Sequence, residues 1–322
     1  MTNLLLVRDA LKNVYGKYEM FITPVLKFIL ALITYLLINK HLGYMDTLDN
    51  PVIPVMAAII NSFLPVNTIV LFSFLMICLH VYRLSLIAAA ATLVIMAVLF
   101  LVFLRFSPDS ALAAVLTPLA FLFNVPFAVP ICAGLVSSPL SAVSVACGII
   151  VYYFLQYITS NSTSIQNPGD TQPADQLKGI LNAVVNNKTM VLYVIVFAIT
   201  ILVVYIIRRL SINYSWMIAI VAGSLVEIIA IIVGDGTLGA NVSFASVLLG
   251  IIIGAVVGLI LHFFVFSVDY SRTEYVQFED EEYYYYVKAV PKLTVSATDL
   301  QVKKINRVNR PNRSRDRLDA RD

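Results

Sequence analysis

The chain has 322 residues, of which 60% are hydrophobic and 13% charged, with a formal net charge of +3 and a mean hydropathy of +0.87. A soluble domain carries about 25% charged residues, and one core cannot bury this much apolar surface, so a water-soluble globular fold is excluded and a bilayer is the expected solvent. Cys78, Cys132 and Cys147 lie inside apolar stretches without paired spacing or a nearby histidine cluster, which argues against a disulfide framework or a metal site.

Windows of about 19 residues give eight candidate spans in chain order: 20–38, 65–82, 84–104, 126–136 with its flanks, 141–158, 189–207, 214–233 and 242–266. Ahead of them, residues 1–19 read as a cytosolic segment. The apolar run begins only near Met20 and no small-residue cleavage site follows, so the first span is expected to stay as a helix. The fourth contains Pro126 and Pro130 and ends at Ser137-Ser138-Pro139, which predicts a short, kinked or unwound element. With both termini inside, Arg8, Lys12, Lys17, Arg83, Arg208, Arg209 and the C-terminal tail share the cytoplasmic side and Lys27 snorkels toward it. Lys40, Arg105, Lys178 and Lys188 fall outside.

A plan of short segment, span, tight turn and span recurs over 51–104, 108–158 and 173–233. Its turns read Arg83-Leu84-Ser85, Pro139-Leu140-Ser141 and Arg209-Leu210-Ser211. The opening segments, 52–63, 110–123 and 175–187, are too short to span and are expected on the outer side, re-entrant or flat in the interface. Two spans per copy would leave all copies in one orientation, unlike the inverted repeats of many secondary transporters.

Glu227, in Ala222-Gly223-Ser224-Leu225-Val226-Glu227, is the ionisable side chain nearest the middle of a span. A carboxyl in hydrocarbon is costly enough to suggest a site for a proton, a cation or a cationic group, or else a protonated acid bonded to a neighbouring Ser or Asn. His80 and His262 fall close to the expected cytoplasmic ends of their spans, as interfacial imidazoles. Asp235 reads as a turn residue, and the outer Asp46, Asp49, Asp109, Asp170 and Asp235 have no Arg or His cluster beside them that would suggest an intramembrane enzyme. Gly250, Gly254 and Gly258 share one face of the last span and predict close helix contact, within the protomer or at an oligomer interface.

Beyond the last span, residues 267–295 are Tyr-rich and β-prone, with two runs flanking Glu279-Asp280-Glu281-Glu282; a cytosolic hairpin is expected, needing a partner, a second copy or the membrane surface for order. Tyr283, Tyr284, Tyr285 and Tyr286 are the candidate partner-binding residues. Residues 296–322 are basic and read as a disordered tail drawn to an anionic leaflet. The segment EYVQFEDEEYYYYVKAVPK resembles uncharacterised multi-pass membrane proteins of Firmicutes type, and the resemblance implies a bacterial cytoplasmic membrane without implying an activity.

The expected architecture is thus an all-α polytopic transmembrane bundle of about eight spans with a small strand pair in the tail. No Gly-x-x-x-x-Gly-Lys loop occurs, no cofactor or catalytic residue is indicated, and nothing folded supports nucleic-acid binding. Two functions stay open. One is a permease-like protein that moves or binds a small solute or lipid, with Asn61, Asn67, Asn124 and Glu227 lining its cavity. The other is a non-catalytic membrane scaffold or envelope-complex subunit whose tail recruits a protein partner and whose helices form a homo-oligomer.

Overall fold

The computed structural model describes residues 2–167, 172–240, 242–265, 274–279 and 284–289. The chain divides into a helical unit, Asn3–Phe266, and a C-terminal unit, Ser267–Asp322. The first comprises α1 (Thr2–Leu42), α2 (Val52–Phe63), α3 (Asn67–Leu84), α4 (Leu86–Phe106), α5 (Ala111–Leu122), α6 (Ala128–Val136), α7 (Ser141–Ser160), α8 (Ser162–Gln166), α9 (Pro173–Val185), α10 (Lys188–Arg208), α11 (Ser215–Leu238) and α12 (Phe244–Val265). Among the described residues seven helices are long and apolar enough to cross a bilayer: α1, α3, α4, α7, α10 with α9 leading into it, α11 and α12. Their outer faces carry exposed Val94, Val98 and Leu101 on α4, and Ile195, Ile199 and Leu202 on α10, at helical spacing. Such stripes are unfavourable in water and at home against acyl chains. The protein is an integral, polytopic, all-α membrane protein.

Side-chain contacts fix the helix directions. At the N-terminal face, the Arg8 guanidinium lies 5.6 Å over the Phe263 ring, Trp216 lies 5.8 Å from His262, and Arg208 donates to the Ser137 carbonyl at 2.8 Å. There α1 and α11 begin, and α6, α10 and α12 end. At the opposite, distal face, His80 near the end of α3 bonds Asn39 near the end of α1 at 3.0 Å. Thr189, at the start of α10, donates to Ala240 beyond α11 at 3.3 Å.

Between these faces α2 runs back toward the N-terminal side. Its approach is tied distally, with Asn39 donating to the Leu48 carbonyl and the Met45 amide to His80 Nδ1, whereas Leu64 beyond its end accepts from Lys27 at 3.1 Å, about three turns lower on α1. Next α3 climbs to the distal face and α4 descends beside it, with Phe74 6.4 Å from Phe100 and Val66 and Val70 packed by Phe103. Ser107, just past α4, meets Ser144 in the first turn of α7 at 2.7 Å, so α4 ends where α7 begins, on the N-terminal face.

These directions correct several expectations. The fourth span does not form, because α6, nine residues and about 13 Å long, returns to the N-terminal face from which α5 rises and leaves the chain on the same side. Arg83 lies on the distal face, not with Arg209, while Arg105 and Asp109 lie on the N-terminal face, not outside. His80 is likewise distal and fully buried, not an interfacial group on the side of His262. The opening segments do not share a side: α2 enters from the distal face and α5 from the N-terminal face. Nor do the units share one orientation, since α3 and α4 run up and down where α10 and α11 run down and up. The reason is that α2 reverses the sides of α3 and α4, and the failure of α6 to cross restores them from α7 onward.

The first helix is continuous but bent. Tyr18 has non-helical φ/ψ of −119° and 20° and kinks α1, close to where the basic N-terminal segment gives way to the apolar span. In the C-terminal unit, β1 (Glu274–Glu279) pairs antiparallel with β2 (Tyr284–Ala289), with Val276 opposite Val287 and Gln277 opposite Tyr286. Tyr286 and Val287 are exposed. Tyr283, Asp170 and the basic 296–322 tail lie outside the described residues.

Candidate functional site

The site is built by the segment 107–139, which enters and leaves through the N-terminal face. After Pro108–Ser110, α5 rises alongside the first half of α7. The two helices touch because Gly148 has no side chain: a Cβ there would stand 2.6 Å from Thr117 Cβ and 3.0 Å from the Ala114 carbonyl oxygen. At its upper end α5 closes in a Schellman-type cap. The Phe123 amide donates to Leu119 at 3.0 Å and the Val125 amide to Ala120 at 2.8 Å, while Asn124 takes the left-handed conformation, φ 58°. Asn tolerates that conformation better than other side-chain-bearing residues. Pro126 then starts the return, its carbonyl accepting from the Val129 amide at 3.1 Å.

The returning α6 is the most enclosed helix of the bundle, with Ala128, Val129, Pro130, Ile131, Ala133, Gly134 and Leu135 buried. Its neighbours come close through glycines. A Cβ on Gly254 would stand 2.9 Å from the Phe127 carbonyl and 3.0 Å from the Ala128 nitrogen, and one on Gly250 2.6 Å from the Phe127 ring. Gly258 packs on Ile131 and Ile220, and Gly134 on Val204. The glycine face of α12 is therefore filled from within the chain.

The hairpin turns at about half depth. Phe127 lies 5.7 Å from Phe197, and Phe197 precedes Arg208 by three helical turns, or about 16 Å. Phe121 stacks on Tyr152 at 4.7 Å and meets Tyr193 edge-on at 5.3 Å. Above this aromatic floor opens a vestibule of about 500 Å³, whose polar lining includes Asn124, Gln156, Asn187, Thr189 and Ser246. Asn187, Thr189 and Ser246 belong to the distal ends of α10 and α12, so the vestibule opens distally. No charged side chain lines it among the described residues.

On the other side of α5 lies a mostly apolar chamber of about 180 Å³, walled by Phe74, Met96, Leu99, Val115, Leu119 and Val151 among others, with Thr34, His41 and Ser73 also in its lining. Tyr152 and Gln156 border both spaces. Tyr152, Tyr153, Gln156, Tyr193 and the chamber went unnoticed in the sequence, where they read as ordinary span residues.

The expected cavity residues do not converge. Asn61 is fully buried, donates to Ala57 at 2.9 Å and accepts from Thr68 at 2.6 Å, so it braces the α2–α3 turn with Asn67 nearby in the first turn of α3. Asn124 alone of the four reaches the vestibule. Glu227 is fully buried on α11, and neither of its carboxyl oxygens has a hydrogen-bond partner. It lies one turn beyond Gly223, whose missing Cβ would touch Val204 of α10 and come within 3.9 Å of Ile131 of α6. Thr200 is likewise buried with its hydroxyl unpartnered. His80 serves structure: accepting the Met45 amide on Nδ1 leaves Nε2–H to donate to Asn39. Among the described residues no His, Cys, Asp or Glu grouping could hold a metal ion.

No family matches the chain in a scan of protein families, and searches of the curated proteins and of the solved structures return no match.

Proposed function

We propose that the protein is a permease-like carrier whose binding site is the vestibule above the α5–α6 hairpin. One observation carries this reading: the chain abandons helical structure at 123–127, at half depth, against a polar space. Non-helical backbone at membrane depth is stable only when buried in protein or lining a water-filled cavity, and broken helices meeting at mid-membrane are a recurrent way to build a transport site. A scaffold reading leaves the vestibule without a use. Glu227, sealed behind α6, is the group on which proton movement would act, because ionising it requires α6 or α11 to give way and admit water.

Orientation follows from charge. Arg8, Lys12, Lys17, Arg105, Arg208 and Arg209 lie at the N-terminal face, against Lys40, Arg83, Lys178 and Lys188 at the distal face. The positive-inside rule then assigns the N-terminal face to the cytoplasm and the vestibule mouth to the outside, in the bacterial cytoplasmic membrane that the tail's resemblance implies.

The test needs no substrate. With Cys78, Cys132 and Cys147 replaced by Ala, Asn124→Cys in proteoliposomes of fixed orientation is to be treated with a membrane-impermeant cationic methanethiosulfonate. Reaction from the distal face is expected. Protection from both faces would mean a dry tip and would end the carrier reading.

A further inference from the structure

Polar vestibule and apolar chamber adjoin along α7, where they share Tyr152 and Gln156, and their chemistry points to a substrate class. Tyr152 and Gln156 border both, one above the other on α7, so the boundary between wet and greasy lining falls along a single helix face. Either space alone would suit a different ligand. A small polar solute has no need of the chamber, and a wholly apolar one has no need of amides and hydroxyls. Their adjacency fits a molecule with a polar head and one hydrocarbon chain.

The lining also specifies the head. Asn124 and Gln156 supply amides and Asn187 its NH2, its Oδ1 capping Met190; Thr189 and Ser246, whose hydroxyls donate to the Ala240 and Ser243 carbonyls, supply acceptor oxygens, and Tyr152, Tyr153 and Tyr193 phenols with aromatic faces. An ionised head buried there would lack a counter-charge, and burying an unpaired charge is strongly unfavourable. The backbone does not supply one: the negative end of α5 and the positive end of α6 meet at the same tip, so their dipoles oppose. Amides and hydroxyls beside flat aromatic rings instead suit a ring with many hydroxyl groups, whose edges take hydrogen bonds and whose C–H faces stack.

We infer that the vestibule and chamber together bind a single-chain amphiphile with an uncharged, polyhydroxylated head, the head in the vestibule and the chain beside Leu119 and Val151. This rests on the proposed carrier site and deepens it.

The probe is octyl β-D-glucoside bearing a diazirine on its alkyl tail, photolysed with the full-length protein in phosphatidylcholine nanodiscs. The expected labels map to Met96, Leu119 and Val151. Unlabelled octyl glucoside should displace them, whereas glucose alone, octanoate and octyltrimethylammonium should not. Gln156→Ala should weaken displacement by about five- to tenfold, the worth of one lost hydrogen bond, and Leu119→Trp, by filling the chamber, should abolish labelling there. Should Leu119→Trp fail to fold, Gln156→Ala and the competition series still decide the matter. Displacement by glucose as effective as by the glucoside would overturn the inference, as would equal competition by the charged amphiphiles, or label spread without displacement over the outer faces of α4 and α10. If Asn124→Cys is water-accessible but the glucoside labels nothing specifically, the amphiphile falls and the carrier stands. If Asn124→Cys is inaccessible, both fall.

Discussion

Glu227 and His80 show how differently two buried polar residues can be treated. His80 has both ring nitrogens engaged, one by Met45 and one by Asn39, and so clamps the distal loop onto α3. Glu227 is as fully enclosed, but neither of its carboxyl oxygens has a hydrogen-bond partner. A buried polar group left without partners costs about 1–3 kcal/mol, and such a cost is tolerated where function requires the group. Glu227→Leu, which fills the same space without polar atoms, should therefore raise stability by about 1–3 kcal/mol, seen as a higher thermal midpoint in detergent micelles. A lower midpoint would show that the carboxyl has partners in the folded state and is structural.

At the scale of elements, α6 is the part on which the site depends and the part hardest to read in the sequence. Ten residues bounded by Pro126 and Ser137 are equally compatible with a kinked span and with half a hairpin, because hydropathy measures length against hydrocarbon and is blind to a reversal at half depth. The informative pattern was Asn124-Val125-Pro126: a left-handed cap residue followed two positions later by a proline just ahead of the next helix. Gly250, Gly254 and Gly258 were legible as a packing face, but not their partner, since the sequence does not say which helix approaches. That contact predicts a specific lesion. Valine at 254 would meet backbone atoms of Phe127 and Ala128 rather than a side chain that can rotate away, so Gly254→Val should lower stability by about 1–3 kcal/mol. It should also change the labelling of Asn124→Cys, because α6 must shift. Gly236→Ala, with open space around it, should leave both readouts unharmed. Equal behaviour of the two variants would deny that α12 holds α6 in place.

For the whole molecule, composition was enough to identify a membrane bundle, and most spans were recoverable from apolar runs because crossing a bilayer sets a minimum length. The faces were not recoverable in full, since sidedness is a running parity and each short helix changes it for everything downstream. Treating α2 as outside the count and α6 as inside it placed Arg83 with Arg209 and Arg105 apart from them. The two errors cancelled from α7 onward, so the start of α1, Arg209 and the end of α12 share one face while α3 and α4 exchanged sides. This is directly measurable. In the cysteine-free background, Arg105→Cys and Arg209→Cys should react with an impermeant maleimide from one side of oriented vesicles and Arg83→Cys from the other. The three positions end long helices, so labelling should not depend on the vestibule's state. Arg83→Cys and Arg209→Cys reacting from the same side would mean that α2 does not carry the chain across. Phe74 and Phe100 would then need another pairing, the chamber between α3, α4 and α5 would lose a wall, and the amphiphile site would have no place for its chain.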